Sequence, residues 1–240
     1  IFTAGQMPGI STVNATVDKA TVDKSITIQR EDVYVATSTD GGNDSNNGSA
    51  DSPFLTLQKA IEVLQTGGRI HIANGEYKGA KNRGLTINKN MTIFQDNWIP
   101  GTGTSVIINA ENQDRIFNIN PEITVIINNL TLTNGGSNIF GGAIRNKGNL
   151  TVSNCTFINN LAEYGGAIAN YFGTTDGAIG SANCTVTGCN FTNNQAYYDG
   201  GAINNYCIIL FSGSGSGTVN CTVTGCNFTN NQAGRDGGAI

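Results

Sequence analysis

The chain has 240 residues, six Cys, 32 Gly, a formal net charge of −4 and only 12% charged residues. With 38% apolar content this is no disorder signature, and the absence of clustered Lys and Arg excludes nucleic acid as an expected partner. No apolar run is long enough to span a bilayer as a helix. Residue 1 is Ile and the chain stops at Ile240 inside a repeat, so a processed or partial product is expected.

Residues 1–30 lack the repeat seen later. They carry tandem Ala-Thr-Val-Asp-Lys at 15–19 and 20–24. The alternation of Val13, Ala15 and Val17 suits an extended arm, a candidate strand for assembly with a neighbour. A short strand at 32–37 then enters the turn-rich run Asp40–Ser49. Asp40, Asp44 and Asp51 are candidate Ca2+ ligands, although their spacing departs from the EF-hand pattern.

A helix is expected over 53–65. Asp51 or Ser52 would cap it, Pro53 would fill its first turn, and Gly67 would stop it. Leu57, Ala60, Ile61 and Leu64 fall on one face. Residues 31–68 therefore read as an N-terminal cap and 69–240 as coils of short strands. No crossover helices separate those strands, which excludes a βαβ fold.

The repeat sharpens after Asn134. Gly-Gly-Ala-Ile starts at Gly141, Gly165, Gly200 and Gly237, spacings of 24, 35 and 37 residues. Phe-x-Asn-Asn recurs at 157–160, 191–194 and 228–231. A 24-residue unit of short strands and turns is the size of one coil of a parallel β-helix. The longer units add inserts at 171–183 and 206–220, both between the same two strands, so both should emerge on one side. Asn146, Asn170 and Asn205 should form one ladder along the axis, and Asn160, Asn194 and Asn231 another.

Cys155, Cys189 and Cys226 share a repeat position. Cys184 and Cys221 share another, held by Leu150 in the first copy. They read as small buried hydrophobes. Stacked thiols would lie about 4.8 Å apart, within disulfide reach, and their redox state stays open.

Gly-Gly-Ala-Ile paired with Phe-x-x-Asn resembles the repeats of polymorphic outer-membrane-type autotransporter adhesins. Val33–Thr37, the Gly/Asn/Asp loop, Ser52–Ile61 and Gly68–Tyr77 resemble the N-terminal cap of pectin-lyase-like proteins. Together they resemble the adhesin-like surface proteins of methanogenic archaea, over about 32–240. The resemblance implies an all-β, right-handed parallel β-helix with an N-terminal capping helix. It also implies an extracellular, cell-surface location and contact with other cells, wall polymers or glycans.

Many such helices cleave polysaccharides, which needs paired carboxylates or Ca2+-bound acids beside a base. The only His, His71, lies in a strand beside the cap. The Asn-Thr-Asp, Asp-Asp and Gly-His-Gly motifs are absent. Glu163, Tyr164, Tyr198, Asp199, Arg235 and Asp236 vary from coil to coil and read as solvated corner residues. Arg115 with Asp114 and Glu111 is the best charged cluster. No catalytic residue is assigned, and a non-catalytic scaffold is expected. The alternatives are a structural subunit of a surface layer or filament, and a polysaccharide lyase or hydrolase. Candidate binding residues are Tyr171, Phe172, Asp176, Tyr206 and Phe211, in the inserts. Asn-x-Thr sequons make Asn14, Asn90, Asn149, Asn190 and Asn227 glycosylation candidates.

Overall fold

The computed structural model describes residues 9–17, 20–99, 103–137, 139–174, 180–209 and 216–240. Beyond the N-terminal arm, every named strand pairing is parallel. The strands build a seven-stranded, a six-stranded and a five-stranded sheet, with a short three-stranded sheet at one corner. Successive strands of one sheet come from successive coils. This is a parallel β-helix.

Identical repeat positions stack because each coil buries its apolar edge only on the next. In the first sheet Val33, Ile70, Ile93, Ile127, Val152, Val186 and Val223 form one register column. In the second, Leu132 leads into Phe157, Phe191 and Phe228. These three rings stack with centroids 4.7 and 4.9 Å apart and nearly parallel planes. In the third, Ile144, Ile168 and Ile203 continue a column begun by Leu85 and Phe117.

Both Asn ladders form. Asn146 Nδ2 donates to Asn170 Oδ1 at 2.7 Å, and Asn170 Nδ2 to Asn205 Oδ1 at 2.8 Å. Asn160 and Asn194 bond likewise, as do Asn194 and Asn231, each at 2.9 Å. The first ladder replaces an aliphatic column, since Ile87 and Ile119 occupy its two preceding rungs. The residue before the second ladder has its own task. Asn159, Asn193 and Asn230 sit at φ of 54 to 56°, in the left-handed region that Asn tolerates.

Leu150, Cys184 and Cys221 share one register column, as their spacing implied. The other column uses its stacking for sulfur–backbone bonds. Cys155 N–H donates to Cys189 Sγ at 3.4 Å, and Cys189 N–H to Cys226 Sγ at 3.3 Å. All six thiols are free.

The helix is shorter than the expected 53–65. It spans Leu57–Val63, with Thr56 as N-cap accepting from Lys59 N–H. Residues 53–56 cannot coil, because Phe54 N–H is bonded to Tyr34 O and Phe54 O accepts from Ala36. The expected stop at Gly67 also shifts: Leu64 is already extended and begins the strand Leu64–Ile72. The helix buries Leu57, Ala60, Ile61 and Val63 against the first strands of the first and third sheets. The arm is a hairpin, since Gly9–Val17 pairs antiparallel with Ala20–Ile28 and the two tandem copies meet each other.

Candidate functional site

The Gly-Gly corner turns the chain the same way in each coil. Gly141, Gly165, Gly200 and Gly237 all lie at φ of 64 to 67°, which glycine adopts without strain. The residues just before it are therefore delivered to one outer edge of the solenoid. Phe140 and Tyr164 occupy that place in consecutive coils and bridge in parallel register. Tyr171 and Tyr206 are partners further along the third sheet.

These side chains form one stripe. Phe140 stacks on Tyr171 at 4.3 Å and on Tyr164 at 5.4 Å between centroids. Tyr164 reaches Tyr206 at 5.8 Å and Tyr198 at 5.2 Å. Arg145 lies over Phe140 and Tyr171, at 5.5 and 5.3 Å from the centroids. Arg235 lies 4.4 Å over Tyr198 and bonds the Tyr164 hydroxyl and Asp199, each at 3.2 Å. Cation–π contact of this kind holds rings in place.

A cleft of about 400 Å³ opens beside the stripe. Gln113, Asp114, Arg115, Ser137, Phe140 and Arg145 line it. Arg115 Nη2 donates to Ser137 Oγ at 2.6 Å. Burial, and then the charge of Arg145, push the Arg115 guanidinium down from its ordinary range. Burial followed by the charges of Arg145 and Arg115 does the same to Lys147. Three cations thus share one patch. Arg145 Nε and Asn118 Oδ1, on paired residues of adjacent strands, are buried without partners among the described residues.

Of the expected binding residues, Tyr171 and Tyr206 belong to the stripe. Phe172 does not: it packs over Gly180 and Gly217, where an added Cβ would fall 2.4 and 2.2 Å from its ring. Asp176 and Phe211 lie outside the described residues. Phe140, Arg145, Tyr164, Tyr198 and Arg235 were not among the expected binding residues. Of the corner residues read as solvated, Tyr164, Tyr198 and Arg235 belong to the stripe and Asp199 bonds Arg235. The expected Arg115–Asp114–Glu111 cluster is also revised, because Glu111 turns away to bond Arg83 and Gly79 N–H.

The three acidic residues proposed for Ca2+ are not gathered. Asp44 accepts from Leu55 N–H, Thr56 N–H and the Thr56 hydroxyl, anchoring the helix start. Asp40 accepts from the Thr37 hydroxyl. Among the described residues no group of three or more His, Cys, Asp or Glu is placed to hold a metal ion. Of the sequons, Asn190 and Asn227 are exposed and bonded to each other at 3.0 Å. Asn149 is half-buried and accepts from Asn183, whereas Asn90 is exposed and accepts from Thr124 N–H. Asn14 lies on the hairpin strand Gly9–Val17, its side chain outside the described set.

His71 lies on the strand Leu64–Ile72 of the first sheet. Its ring bonds Asp32 at 2.9 Å and Asp96 at 2.7 Å, and stacks on Tyr34 at 4.4 Å. With both nitrogens engaged it clamps neighbouring coils and presents no free lone pair. The Arg69 hydrogen bond, aided by His71, holds the Asp32 carboxyl at about 2 against its ordinary 3.8. A depressed carboxylate stabilises the fold above its unfolded pKa and loses that contribution as pH falls through the folded one. Asp32→Asn is therefore expected to cost about 1 kcal/mol at neutral pH, discounted for solvent screening. The difference from the parent should shrink as pH drops from 3.8 towards 2. Urea unfolding across that window measures it, and a constant difference would rule out the linkage.

The family described as "Protein of unknown function (DUF1565)" matches residues 40–209. The "Chlamydia polymorphic membrane protein (Chlamydia_PMP) repeat" matches residues 225–240, which include the last Gly-Gly-Ala-Ile copy. No curated protein matches the chain. Among solved structures, a rhamnogalacturonan lyase aligns with 81% of this chain at 15% identity and a TM-score of 0.42. The chain spans 62% of that protein's length.

Proposed function

The chain belongs to the DUF1565 family, and we propose that it is a non-catalytic, adhesin-like binding scaffold of a cell-surface protein that holds glycan chains along its aromatic stripe. The stripe carries this reading. Five aromatic rings from three successive coils lie along one edge, already stacked. Rings ordered before binding lose little conformational entropy when a ligand settles on them. The outermost π faces and the edges of the stack meet the C–H groups of sugar rings, and the tyrosine hydroxyls and arginines supply hydrogen bonds. Coils repeat at about 4.8 Å, so a polymer lying along the axis meets rings from successive coils. The match to a polymorphic membrane protein repeat supports the surface location. Wall polymers and the glycans of other cells are the ligands in view.

Glycan-array screening followed by titration calorimetry tests the proposal. Tyr171→Ala and Tyr206→Ala should each weaken binding about tenfold, as truncation of an aromatic anchor does, with unchanged thermal melting. Parent-like affinity in both variants would refute the stripe. Release of new reducing ends or unsaturated products from wall polysaccharides would overturn the non-catalytic part.

A further inference from the structure

The charge beside the stripe is opposite in sign to that of the molecule. The chain carries −4 overall, yet Arg115, Arg145 and Lys147 share one half-buried patch. Asp114 is the cleft's own carboxylate. It is 54% exposed and no closer than 3.9 Å to the Arg115 Nε. Glu111, the next nearest acid in sequence, is committed to Arg83.

Arg145 joins the patch to the stripe. Its guanidinium plane is occupied by Phe140 and Tyr171, its Nε is buried, and its side chain lines the cleft. A guanidinium stacked on rings still offers the N–H groups of its two Nη atoms, and that fork fits a carboxylate in two parallel bonds. Lys147 follows two residues later and shares the outward side of the chain. A ligand that laid a sugar ring against the exposed side of this stack would bring a ring substituent to Arg145.

Building on the stripe as the glycan site, we infer that the ligand is a carboxylate-bearing polysaccharide, its sugar faces on the aromatic rings and its acid groups on Arg145, Lys147 and Arg115. An acidic polymer is repelled by the rest of the molecule, so attraction is focused at the patch and weakened by salt.

The test titrates the whole chain with alginate, neutral mannan, dextran sulfate and polyglutamate. Alginate should bind at least tenfold more tightly than mannan, and the advantage should fall as ionic strength rises. Arg145→Gln and Lys147→Gln should each lower alginate affinity about tenfold, and Lys147→Gln should leave mannan affinity unchanged. Lys147 lies outside the ring stack, so its variant reports on charge even where Arg145→Gln disturbs the rings. Equal binding of mannan and alginate would overturn the acidic ligand and leave the stripe standing. Binding of none of the polymers would overturn both. Preference for dextran sulfate would overturn the carboxylate, and polyglutamate matching alginate would overturn the sugar component.

Discussion

Gly166→Ala is expected to cost more than about 4 kcal/mol and to leave much of the chain unfolded, because stabilities of this size of domain are only about 5–15 kcal/mol. A Cβ at Gly166 would lie 2.2 Å from Gly201 O, 2.6 Å from Gln195 O and 2.7 Å from Gln195 N. All three atoms are backbone of the next coil, so no side chain can swing aside. The neighbouring glycines of the column repeat the problem: Gly142 faces Gly166 O at 2.2 Å and Gly201 faces Gly238 O at 2.2 Å. The second Gly of each Gly-Gly is thus the place where coils touch without side chains between them. Gly225 is the control. It is at φ 62° with nothing nearer than 4.0 Å to an added Cβ, and the equivalent place in an earlier coil is held by Asn154 at φ 53°. Gly225→Asn should change stability by no more than about 0.5 kcal/mol. Urea midpoints for the two variants decide the matter, and similar losses would refute the assigned roles.

The same contrast shows what sequence could reveal here. Stacking turns equal repeat positions into physical neighbours, so Phe157, Phe191 and Phe228 were legible from spacing alone, as were both Asn ladders and the Leu150–Cys184–Cys221 column. The stripe was not. Phe140, Tyr164, Tyr171, Tyr198 and Tyr206 sit at three different repeat positions, and only the corner geometry brings them to one edge. Phe172 looked equivalent to Tyr171, yet consecutive residues of the strand Ile168–Thr174 point to opposite sides, one to the stripe and one to the glycines of the insert. The helix start failed for a related reason. Pro53 and its neighbours carry a good capping pattern, but the Phe54 backbone is tied to the strand edge, and a tertiary pairing outweighs a local preference. Asp44 was read as a metal ligand because an acid among glycines invites one; its partners are backbone and hydroxyl donors eleven and twelve residues away, beyond any local pattern.

Asn194→Leu is expected to destabilise by roughly 4 kcal/mol or more, despite a similar volume and a site that is 0% exposed. Its amide makes four bonds. Nδ2 donates to Phe157 O at 3.0 Å and Asn231 Oδ1 at 2.9 Å. Oδ1 accepts from Asn160 N–H at 3.1 Å and from Asn160 Nδ2 at 2.9 Å. Leucine removes all four and strands buried groups of Asn160 and Phe157 in the preceding coil, each at about 1–3 kcal/mol before relaxation, while Asn231 Oδ1 keeps its bond from the residue 194 N–H. Asn194→Asp separates the two halves of the ladder. It keeps both acceptor bonds to Asn160, loses both donor bonds, and sets a carboxylate against Phe157 O and Asn231 Oδ1. As an ion it is unfavourable there, and burial favours its neutral form. Its stability should therefore rise as pH falls through the raised carboxyl pKa, while that of Asn194→Leu shows no such term. Parallel pH dependence in the two variants would contradict a ladder working through directed donors and acceptors. The same geometry explains why coils of unequal length still align, since the 34- and 37-residue steps from Asn160 to Asn194 and from Asn194 to Asn231 close on identical bonds. The inserts add their residues elsewhere in the coil, and the ladder restores the register that the stripe depends on.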